Sequence, residues 1–426
     1  GEAAAALLLD EGARVTVCES ADSPALQEKA NTLRARGARV LLGSDAESDP
    51  EKYDLAVISP GIDPVVPLVR NVISKNIPMI GELELAFSRC ACPVVAITGT
   101  NGKTTTTELT TRVLQGCGLR TRASGNIGLP FAEAVRQSLG MDVMVLEVSS
   151  FQLETIRSFR PKVAAWLNLS PNHLDRYPGM TEYRSAKLRI FENQTPEDFA
   201  VVNVVNDLPP LRARTTTFSA SSDRADFTRR DTSIFFRSEK VLDQNDTRLP
   251  GVHNAENIMA ALGIGHALGL DMPAMAAVVP DYSPPAHRCE FVRELDGVRW
   301  INDSKSTNLD AMAQALRSQN APVILIAGGK DKGTEFDENA DLVHERVRTA
   351  VLIGEMRHRI AKSWPRTDCR PVDSLAEAVS MARSLARPGD VVLFSPGTSS
   401  YDMFRNYGER GNLFKSLVHQ IETTTP

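Results

Sequence analysis

Apolar and polar positions in the first part of the chain alternate in short blocks, each followed by a helix-like stretch. The β-rich runs lie at 14–18, 39–42, 55–59 and 77–80. This alternation is typical of parallel strands joined by crossover helices, and it predicts a small Rossmann-like domain over residues 1–89. Because the chain opens at Gly1 directly into a helix-like run, we expect the first strand of this domain to be missing.

The alternation restarts near residue 90 and again near residue 290. An apolar strand at 93–97, a glycine-containing loop and a helix at 103–114 precede strands at 143–146 and 163–167. Shorter β-like runs between 199 and 249 predict an antiparallel extension of this second sheet, before a helix at 254–268. Farther on, strands at 298–301, 323–326, 350–353 and 391–394 alternate with helices up to a last helix at 413–421.

Three prolines, Pro280, Pro284 and Pro285, mark the boundary before the third stretch, because proline removes a backbone donor and ends helices. We therefore predict an α/β protein with three domains, at 1–89, 90–283 and 284–426. A chain of 426 residues exceeds the size at which one hydrophobic core stops growing, which agrees with several domains.

Charge and cysteine usage exclude several classes of partner. The formal net charge of −5 provides no general attraction to nucleic acid or to an anionic membrane. The six cysteines are scattered, and the spacing of Cys90 and Cys92 is too short for a CxxC metal or redox motif, so we expect reduced thiols in a cytoplasmic protein. The sequence contains neither an apolar run long enough to span a bilayer nor a signal-type N-terminus.

A glycine-containing loop between the strand at 93–97 and the following helix predicts a phosphate-binding site. Glycines allow backbone N–H groups to approach phosphates, a helix N-terminus attracts anions, a lysine neutralises phosphate oxygens, and a threonine hydroxyl can bind Mg²⁺. The loop departs from the usual Walker spacing because Ile97 stands where its first glycine belongs. An accidental glycine turn is the alternative, and the motif alone does not separate a kinase, an NTPase and a ligase. The residues predicted to bind ATP here are Gly99, Thr100, Asn101, Gly102, Lys103, Thr104 and Thr105.

Three further side chains are candidates for chemistry, each with a plain structural alternative. Glu147 ends a strand, where ligand sites of parallel sheets form, and its carboxylate could bind Mg²⁺ or only cap a turn. His173 follows another strand, and a loop histidine is more often a structural hydrogen-bonding residue. Lys187 lies on a predicted helix, where a solvated lysine is the usual interpretation.

Four segments in this order resemble the ATP-dependent Mur ligases: TGTNGKTT at 98–105, EVSSFQL at 147–153, NHLDRY at 172–177 and AKLRIF at 186–191. A further segment, NDSKSTN, lies at 302–308. The resemblance covers essentially the whole chain. Within the family, SSFQLE and NDSKSTN are similar to the D-glutamate-adding member. The resemblance implies a UDP-binding first domain, a central P-loop domain and a C-terminal domain that closes on ATP and the amino acid.

The resemblance also implies roles at the phosphate end of the site. Thr104 and Glu147 would hold one Mg²⁺, and His173 with a carbamylated Lys187 would support a second. With Lys103, these residues would form the catalytic set. Further nucleotide contacts would come from Asn254, Asn257, Arg288, Asp303 and Lys305, although the two asparagines could equally be helix-capping amides.

Substrate contacts are implied in the same way. Those for D-glutamate would be Thr307, Lys332, Ser400 and Tyr407, with packing a safer role for Tyr407 than a hydroxyl contact. Those for the UDP-sugar would be Glu19, Ser20, Ser59 and Gly61, and those for the muramoyl-alanine part Asn126, Ser149 and Gln152. The family's glycine-rich loop after the first strand is not found, apart from Gly1.

The implied reaction is ATP-dependent joining of D-glutamate to UDP-N-acetylmuramoyl-L-alanine through an acyl phosphate, in peptidoglycan precursor synthesis. Its partners would be small molecules (UDP-MurNAc-L-Ala, D-glutamate and ATP), without nucleic acid or membrane, and the protein would be a monomer in the bacterial cytoplasm. Three alternatives stay open. One is a truncated nucleotide-binding fragment without turnover, and another is a Mur- or folate-polyglutamate-type ligase with a different acceptor. The third is a P-loop kinase, which would transfer phosphate to an acceptor without forming an amide.

Overall fold

A computed structural model describes residues 1–47, 49, 51–63, 65–174, 176–283, 286–319, 321–331 and 335–422. Contacts between residues divide the chain into two compact units. The first unit comprises 1–168, 183–243 and 256–280, and the second comprises 169–182, 244–255 and 281–426. Within the described residues, no helix is both long and apolar enough to cross a membrane.

The first unit opens with two separate pairs of parallel strands. The first pair is β1 with β2 and the second is β3 with β4. The predicted β-runs are thus confirmed as parallel strands connected through helices. These elements are α1 (Glu2–Asp10), β1 (Thr16–Glu19), α2 (Pro24–Ala35), β2 (Arg39–Leu42), α3 (Ser44–Glu47), β3 (Ala56–Ile58), α4 (Pro67–Ser74), β4 (Met79–Gly81) and α5 (Glu82–Phe87).

A nine-stranded sheet forms the rest of the first unit, in the order β13-β12-β11-β10-β9-β8-β5-β7-β6. Its central strands are fully buried, which explains their continuous apolar sequences. The strands are β5 (Val94–Thr98), β6 (Thr121–Gly125), β7 (Val143–Glu147), β8 (Val163–Trp166), β9 (Phe199–Asn203), β10 (Arg214–Ser219), β11 (Phe227–Arg230), β12 (Ser233–Phe236) and β13 (Glu239–Asp243). The helices beside them are α6 (Lys103–Gly116), α7 (Phe131–Ala134), α8 (Ser150–Leu153), α9 (Met180–Leu188), α10 (Val252–Ala267) and α11 (Met272–Val278).

The antiparallel extension predicted for 199–249 is only partly correct. β9, β10 and β11 pair in parallel, and only β11, β12 and β13 form an antiparallel meander. The chain passes through 204–213 between β9 and β10 and through 220–226 between β10 and β11, and after each connection the next strand runs in the same direction. Tight turns are confined to the last two connections, where the chain must reverse.

The second unit contains a six-stranded sheet in the order β14-β15-β19-β16-β17-β18. All neighbouring pairs are parallel except the hairpin of β14 and β15. Apolar clusters cover both faces of this sheet. Its elements are β14 (Glu290–Leu295), β15 (Val298–Asn302), α12 (Leu309–Arg317), β16 (Val323–Gly328), α13 (Ala340–Arg346), β17 (Val347–Ile353), α14 (Arg357–Ser363), β18 (Asp368–Pro371), α15 (Leu375–Leu385), β19 (Val391–Phe394) and α16 (Tyr407–Gln420).

Candidate active site

The predicted phosphate loop lies between the end of β5 and the start of α6, in the first unit. Gly99 and Gly102 have φ angles of 154° and 82°, which are strained for any residue with a Cβ atom. A Cβ on Gly99 would lie 2.9 Å from the Leu167 Cβ, and one on Gly102 would lie 2.3 Å from the Asn257 Oδ1. The loop therefore requires glycine at both positions for conformation and for space.

The first amides of α6 have no helical acceptor, because they precede the first turn. Lys103, the first residue of this helix, donates from Nζ to the carbonyl oxygens of Gly99 at 2.9 Å and Thr100 at 2.8 Å. Thr105 is fully buried, and its predicted contact with ATP stays a prediction. The loop thus offers backbone donors and one ammonium group to an anion.

Glu147 lies at the carboxyl end of β7, beside the start of α6. Its Oε2 accepts a hydrogen bond from the Thr104 hydroxyl at 2.8 Å, and its Oε1 accepts one from Asn126 Nδ2 at 3.0 Å. The carboxylate is 4% exposed. β5 and β7 are adjacent parallel strands, so the two carboxyl ends bring Thr104 and Glu147 together. This meeting of side chains far apart in sequence supports the functional interpretation of Glu147.

Lys187 is buried, at 2% exposure, which makes the interpretation as a solvated surface lysine wrong. Its Nζ donates to the Gly99 carbonyl oxygen at 2.9 Å and lies 4.7 Å from the centre of the Tyr183 ring. Burial, and then the charge of Lys103, hold the pKa of Lys187 well below its usual value, although Glu147 acts in the opposite direction. Burial and the neighbouring positive charge thus both act against the charged form of this amine.

The oxygen atoms at this point suit Mg²⁺. Mg²⁺ in phosphate-transfer sites is usually held by one or two protein oxygen ligands together with substrate phosphates and water. Thr104 and Glu147 supply a hydroxyl and a carboxylate at 2.8 Å from each other. In the described part of the chain, no group of three His, Cys, Asp or Glu side chains could enclose an ion. A site shared with phosphate oxygens fits this donor set better than an all-protein cage.

Two residues that the sequence did not single out shape the loop. Asn168, just beyond β8, accepts from the Asn101 N–H at 2.8 Å, and its backbone oxygen accepts from the Thr100 N–H at 3.0 Å. The Tyr183 hydroxyl lies 3.3 Å from the Thr100 hydroxyl. Asn168 follows an apolar strand as Glu147 does, and the rule that ligand sites gather at the carboxyl ends of strands could have found it.

Asn257, on α10, supports the loop from the other side. Its Oδ1 accepts from the Thr106 hydroxyl at 3.1 Å. Asn254, in the second unit, donates from Nδ2 to the Pro250 carbonyl oxygen at 2.8 Å. Since α10 begins at Val252, neither asparagine is the capping residue of this helix, and their role toward adenine stays a prediction.

A second group of candidates lies at the carboxyl ends of β15 and β19 in the second unit. Asp303 accepts from the Cys289 N–H at 3.1 Å and from the Ser395 hydroxyl at 2.8 Å. Burial raises the pKa of Asp303 to about 6, against the lowering effects of the Arg288 charge and these hydrogen bonds. Lys305 extends past the Tyr407 ring, with Nζ at 5.6 Å from the ring centre. The predicted nucleotide contacts of Arg288, Asp303 and Lys305 stay a prediction.

Comparisons with known proteins agree with this geometry. Residues 97–265 match the Mur ligase middle domain, and residues 287–397 match the Mur ligase glutamate ligase domain. UDP-N-acetylmuramoylalanine–D-glutamate ligase of Geobacter metallireducens is 44% identical over 99% of this chain and 96% of its own. The protein of the same name from Pelotomaculum thermopropionicum is 41% identical with the same coverage. The chain belongs to the Mur ligase family.

Solved structures of Mur ligases share the fold. UDP-N-acetylmuramate–alanine ligase MurC of Thermotoga maritima superimposes with a TM-score of 0.64 at 18% identity, over 98% of this chain and 96% of that one. MurF ligase of the same organism, solved in complex with ADP, gives a TM-score of 0.64 at 16% identity, with 96% of each chain covered. At these identities the comparison concerns the architecture, which is the predicted multi-domain α/β arrangement.

The remaining phosphate-site candidate of this Mur ligase is His173. It has a left-handed backbone with φ of 58°, and its N–H donates to the Asn172 side chain at 3.0 Å. The Tyr177 N–H donates to the His173 carbonyl oxygen at 2.9 Å. His173 belongs to the second unit, whereas Lys187 and Glu147 belong to the first. Its role at a second Mg²⁺ stays a prediction.

The predicted muramoyl-alanine contacts form the start of α8. Ser149 and Gln152 make a capping box: the Gln152 N–H donates to the Ser149 hydroxyl at 3.3 Å, and the Ser149 N–H donates to Gln152 Oε1 at 2.9 Å. A Cβ on Gly61 would lie 3.8 Å from the Phe151 ring, so the first-domain loop meets this segment. Ser59 follows β3 next to that loop. Glu19 and Ser20 lie at the end of β1, with the Ser20 hydroxyl 3.5 Å from Glu19 Oε1.

The predicted D-glutamate contacts lie in loops of the second unit. Thr307 is half-buried just before α12. Ser400 is buried in the turn after β19, where its carbonyl oxygen accepts from the Phe404 N–H at 2.8 Å. The Tyr407 ring lies 6.3 Å from the His287 ring, edge to face, which agrees with a packing role. Lys332 lies outside the described residues.

Proposed function

We propose that this Mur ligase uses ATP to join D-glutamate to UDP-N-acetylmuramoyl-L-alanine in peptidoglycan precursor synthesis. The observation that supports this most strongly is identity of 41–44% over 99% of the chain with two relatives named for that reaction. The phosphate loop with Thr104 and Glu147 provides a matching place for ATP.

The proposed chemistry proceeds in two balanced steps. A carboxylate oxygen of the alanyl group attacks the γ-phosphorus of ATP, and the bond to ADP breaks. The D-glutamate nitrogen then attacks the acyl carbon of the acyl phosphate, the C–O bond to phosphate breaks, and the amine loses a proton. Inorganic phosphate leaves, and the amide remains. Phosphorylation of the carboxylate replaces a poor leaving group, an oxygen anion, with a good one, phosphate. This is why the reaction consumes ATP.

The residues of the loop act by binding and orientation in this proposal. Backbone amides at the start of α6 and the Lys103 ammonium hold phosphate oxygens, since positioning and electrostatics dominate phosphoryl transfer. Thr104 and Glu147 hold a Mg²⁺, which neutralises negative charge on the transferred phosphoryl group when bound. The second Mg²⁺ would be supported by His173 and by Lys187 in carbamylated form.

The carbamylation proposal for Lys187 rests on its surroundings. Burial and Lys103 lower the pKa of Lys187, which makes the neutral amine, the form that attacks CO₂, more accessible than in a solvated lysine. Attack forms an N–C bond, and the nitrogen releases a proton, which leaves an anionic carbamate. The Lys103 ammonium lies on the same Gly99 carbonyl oxygen and would stabilise that negative charge.

The other assignments are part of the same proposal. Asn254, Asn257, Arg288, Asp303 and Lys305 would contact the nucleotide, with the remaining substrate contacts as implied by the family resemblance. The domains would be 1–89 for the UDP-sugar, 90–283 for ATP and 284–426 for closing on ATP and the amino acid. We place the protein in the bacterial cytoplasm as a monomer that acts on small molecules.

The test is ADP release by the purified chain with ATP, Mg²⁺ and UDP-MurNAc-L-alanine. Added D-glutamate is compared with L-glutamate, D-aspartate, lysine and no amino acid, and the product is identified by mass. Release that requires D-glutamate, with a matching amide product, is the expected result. Dependence on another amino acid would overturn the acceptor assignment. ATP binding without release would favour a nucleotide-binding fragment.

A further inference from the structure

Residues 153–159 of the first unit run from the last residue of α8 into an irregular stretch, and side chains from elsewhere bond many of their backbone groups. It follows Ser149 and Gln152 directly and leads toward β8. Backbone groups outside helices and sheets must find other partners, because a buried unpaired group is costly. We call this stretch the clamped segment. Arg189 bonds three of its carbonyl oxygens and Glu84 bonds three of its amides. Asn193 Nδ2 bonds two further carbonyl oxygens, those of Arg157 at 2.9 Å and Phe159 at 3.1 Å, and other amides and the Thr155 carbonyl oxygen bond to backbone groups.

Arg189 holds the carbonyl side of the clamped segment. Its Nη1 donates to the oxygens of Leu153 at 2.9 Å and Glu154 at 2.5 Å, and its Nη2 donates to that of Ile156 at 2.8 Å. Its Nε is fixed by Glu192 Oε2 at 2.7 Å. One planar guanidinium group therefore donates hydrogen bonds to three carbonyl oxygens. A lysine ammonium, which is a single point of charge, cannot reproduce this arrangement of donors.

Glu84 holds the amide side. Its carboxylate accepts from the N–H groups of Arg157 at 2.8 Å, Ser158 at 2.7 Å and Phe159 at 3.1 Å. The Ser158 hydroxyl adds a fourth bond at 2.5 Å. Glu84 is 5% exposed. Burial alone would raise its pKa, but these hydrogen bonds outweigh burial and lower it, so the ionised carboxylate is the form that the segment stabilises.

The two residues come from functionally distinct parts of the first unit. Glu84 lies on α5, in the predicted UDP-sugar domain. Arg189 is two positions after Lys187, at the end of the helix that brings this lysine to the phosphate loop. The clamped segment begins at the last residue of α8, which starts with the Ser149–Gln152 capping box. A shift of the segment would therefore move α8 relative to both neighbours.

We propose that Glu84 and Arg189 are positioning residues that set the place of Ser149 and Gln152 for the UDP-linked substrate, relative to Lys187 and the phosphate loop. This proposal rests on the proposed ligase function. Neither residue touches the reacting atoms. Both act through the backbone of the clamped segment, and ATP binding does not depend on them.

The variants are Glu84→Gln and Arg189→Lys. Glu84→Gln keeps shape but turns one acceptor oxygen into a donor that faces backbone N–H groups. Its matched control is Glu82→Gln on the same helix, because Glu82 accepts one bond, from Ala132 at 3.3 Å, which an amide oxygen can keep. The control for Arg189→Lys is Arg184→Lys on α9, where Arg184 donates to one carbonyl, that of Asp207.

The readout is the KM for UDP-MurNAc-L-alanine against the KM for ATP, well below the unfolding temperature. We expect both variants to raise the KM for the UDP-linked substrate about tenfold or more, as for loss of uniform binding. The KM for ATP should stay within about twofold of the wild-type value, and the controls should resemble wild type. Calorimetric binding of each substrate alone should show the same contrast.

Other outcomes would overturn the proposal. Equal changes in both KM values, or a lower melting temperature with unchanged KM values, would leave only a structural role. In the double variant, effects on the KM for the UDP-linked substrate should combine less than multiplicatively, because both residues hold one segment. Full multiplication would contradict a shared action.

If wild type releases no ADP with D-glutamate, the proposed function fails. An active wild type with variants that resemble the controls overturns only the positioning role.

Discussion

Lys103 and Lys187 donate hydrogen bonds from Nζ to the same carbonyl oxygen, that of Gly99, each at 2.9 Å. Two ammonium groups at one oxygen would repel each other in a site that excludes water. Burial, together with this repulsion, lowers the pKa of Lys187. The phosphate loop thus places Lys187 where its charged form is disfavoured, next to the Nζ of Lys103.

Carbamylation of Lys187 is the first prediction. In ¹³C-labelled bicarbonate, the protein should show a carbamate signal in its ¹³C spectrum, because the lowered pKa of Lys187 makes its nucleophilic neutral form more accessible. Removal of CO₂ should lower the rate of ADP release, and added bicarbonate should restore it. Lys187→Met should lose both the signal and the activity. Lys162→Met, at a lysine with 38% side-chain exposure, is the control that should retain both.

The second prediction separates the two reasons why the phosphate loop requires glycine, which are its left-handed backbone conformation and the lack of space for a Cβ atom. Gly102→Ala would place a Cβ 2.3 Å from Asn257 Oδ1, and we expect ATP to bind about tenfold or more weakly because the loop must shift. Gly118→Ala is a matched control, with φ of 88° and nothing within 4 Å of its Cβ. Both substitutions should cost about 1–2 kcal/mol of stability through the left-handed backbone.

Calorimetric titration with ATP and thermal unfolding measure the two effects separately. Only Gly102→Ala should change the affinity for ATP, while both variants should unfold at lower temperature. Similar ATP affinity in the two variants would contradict the idea that contact with Asn257 shapes the phosphate loop.

The sequence predicted the buried elements well and the edges poorly. β5, β7 and β8 were found because their apolar runs end in polar loops. β14 (Glu290–Leu295) and β18 (Asp368–Pro371) were missed because each lies at a sheet edge, where charged residues and proline are tolerated and no burial pattern is required. Local pattern carries little information where only one side of a strand is paired.

In the candidate site, too, some features could be predicted from the sequence and others could not. Residues at 98–104 and Glu147 were identifiable because phosphate chemistry demands particular residue types at the ends of strands. The burial of Lys187 could not be predicted from the sequence, because a lysine on a helix without a strong apolar face is expected to be solvated. Its burial arises from the Tyr183 ring, one turn earlier on α9, and from the Gly99 carbonyl oxygen, which is 88 residues away in the sequence.

The third prediction concerns the Mg²⁺ ligands. Thr104→Ala and Glu147→Gln should each lower the rate of ADP release about a hundredfold, since charge stabilisation of the transferred group is lost. Both should also raise the Mg²⁺ concentration needed for half-maximal rate. Thr111→Ala, on the same helix, is the control, because its hydroxyl bonds only the Thr107 carbonyl oxygen, at 2.8 Å. A Mg²⁺ dependence like that of wild type in Glu147→Gln would rule out this carboxylate as a ligand.

The last prediction uses the raised pKa of Asp303, which burial shifts from 3.8 to about 6. The folded protein therefore binds this proton more tightly than the unfolded chain does. The resulting stabilisation is fully present below about pH 4 and is lost as the pH rises through about 6. Above pH 7, the buried charge should cost about 3 kcal/mol relative to a neutral side chain of the same shape.

Asp303→Asn provides that neutral side chain. Its free energy of unfolding should match that of wild type near pH 4 and exceed it by about 2–3 kcal/mol near pH 8, while ADP release falls because the charge facing Arg288 is gone. Denaturant unfolding across this pH range measures the difference. Asp373→Asn, at an exposed carboxylate paired with Arg357, controls for removal of any negative charge. A variant that is less stable than wild type by the same amount at every pH would show that hydrogen bonding, rather than the cost of the buried charge, dominates at Asp303.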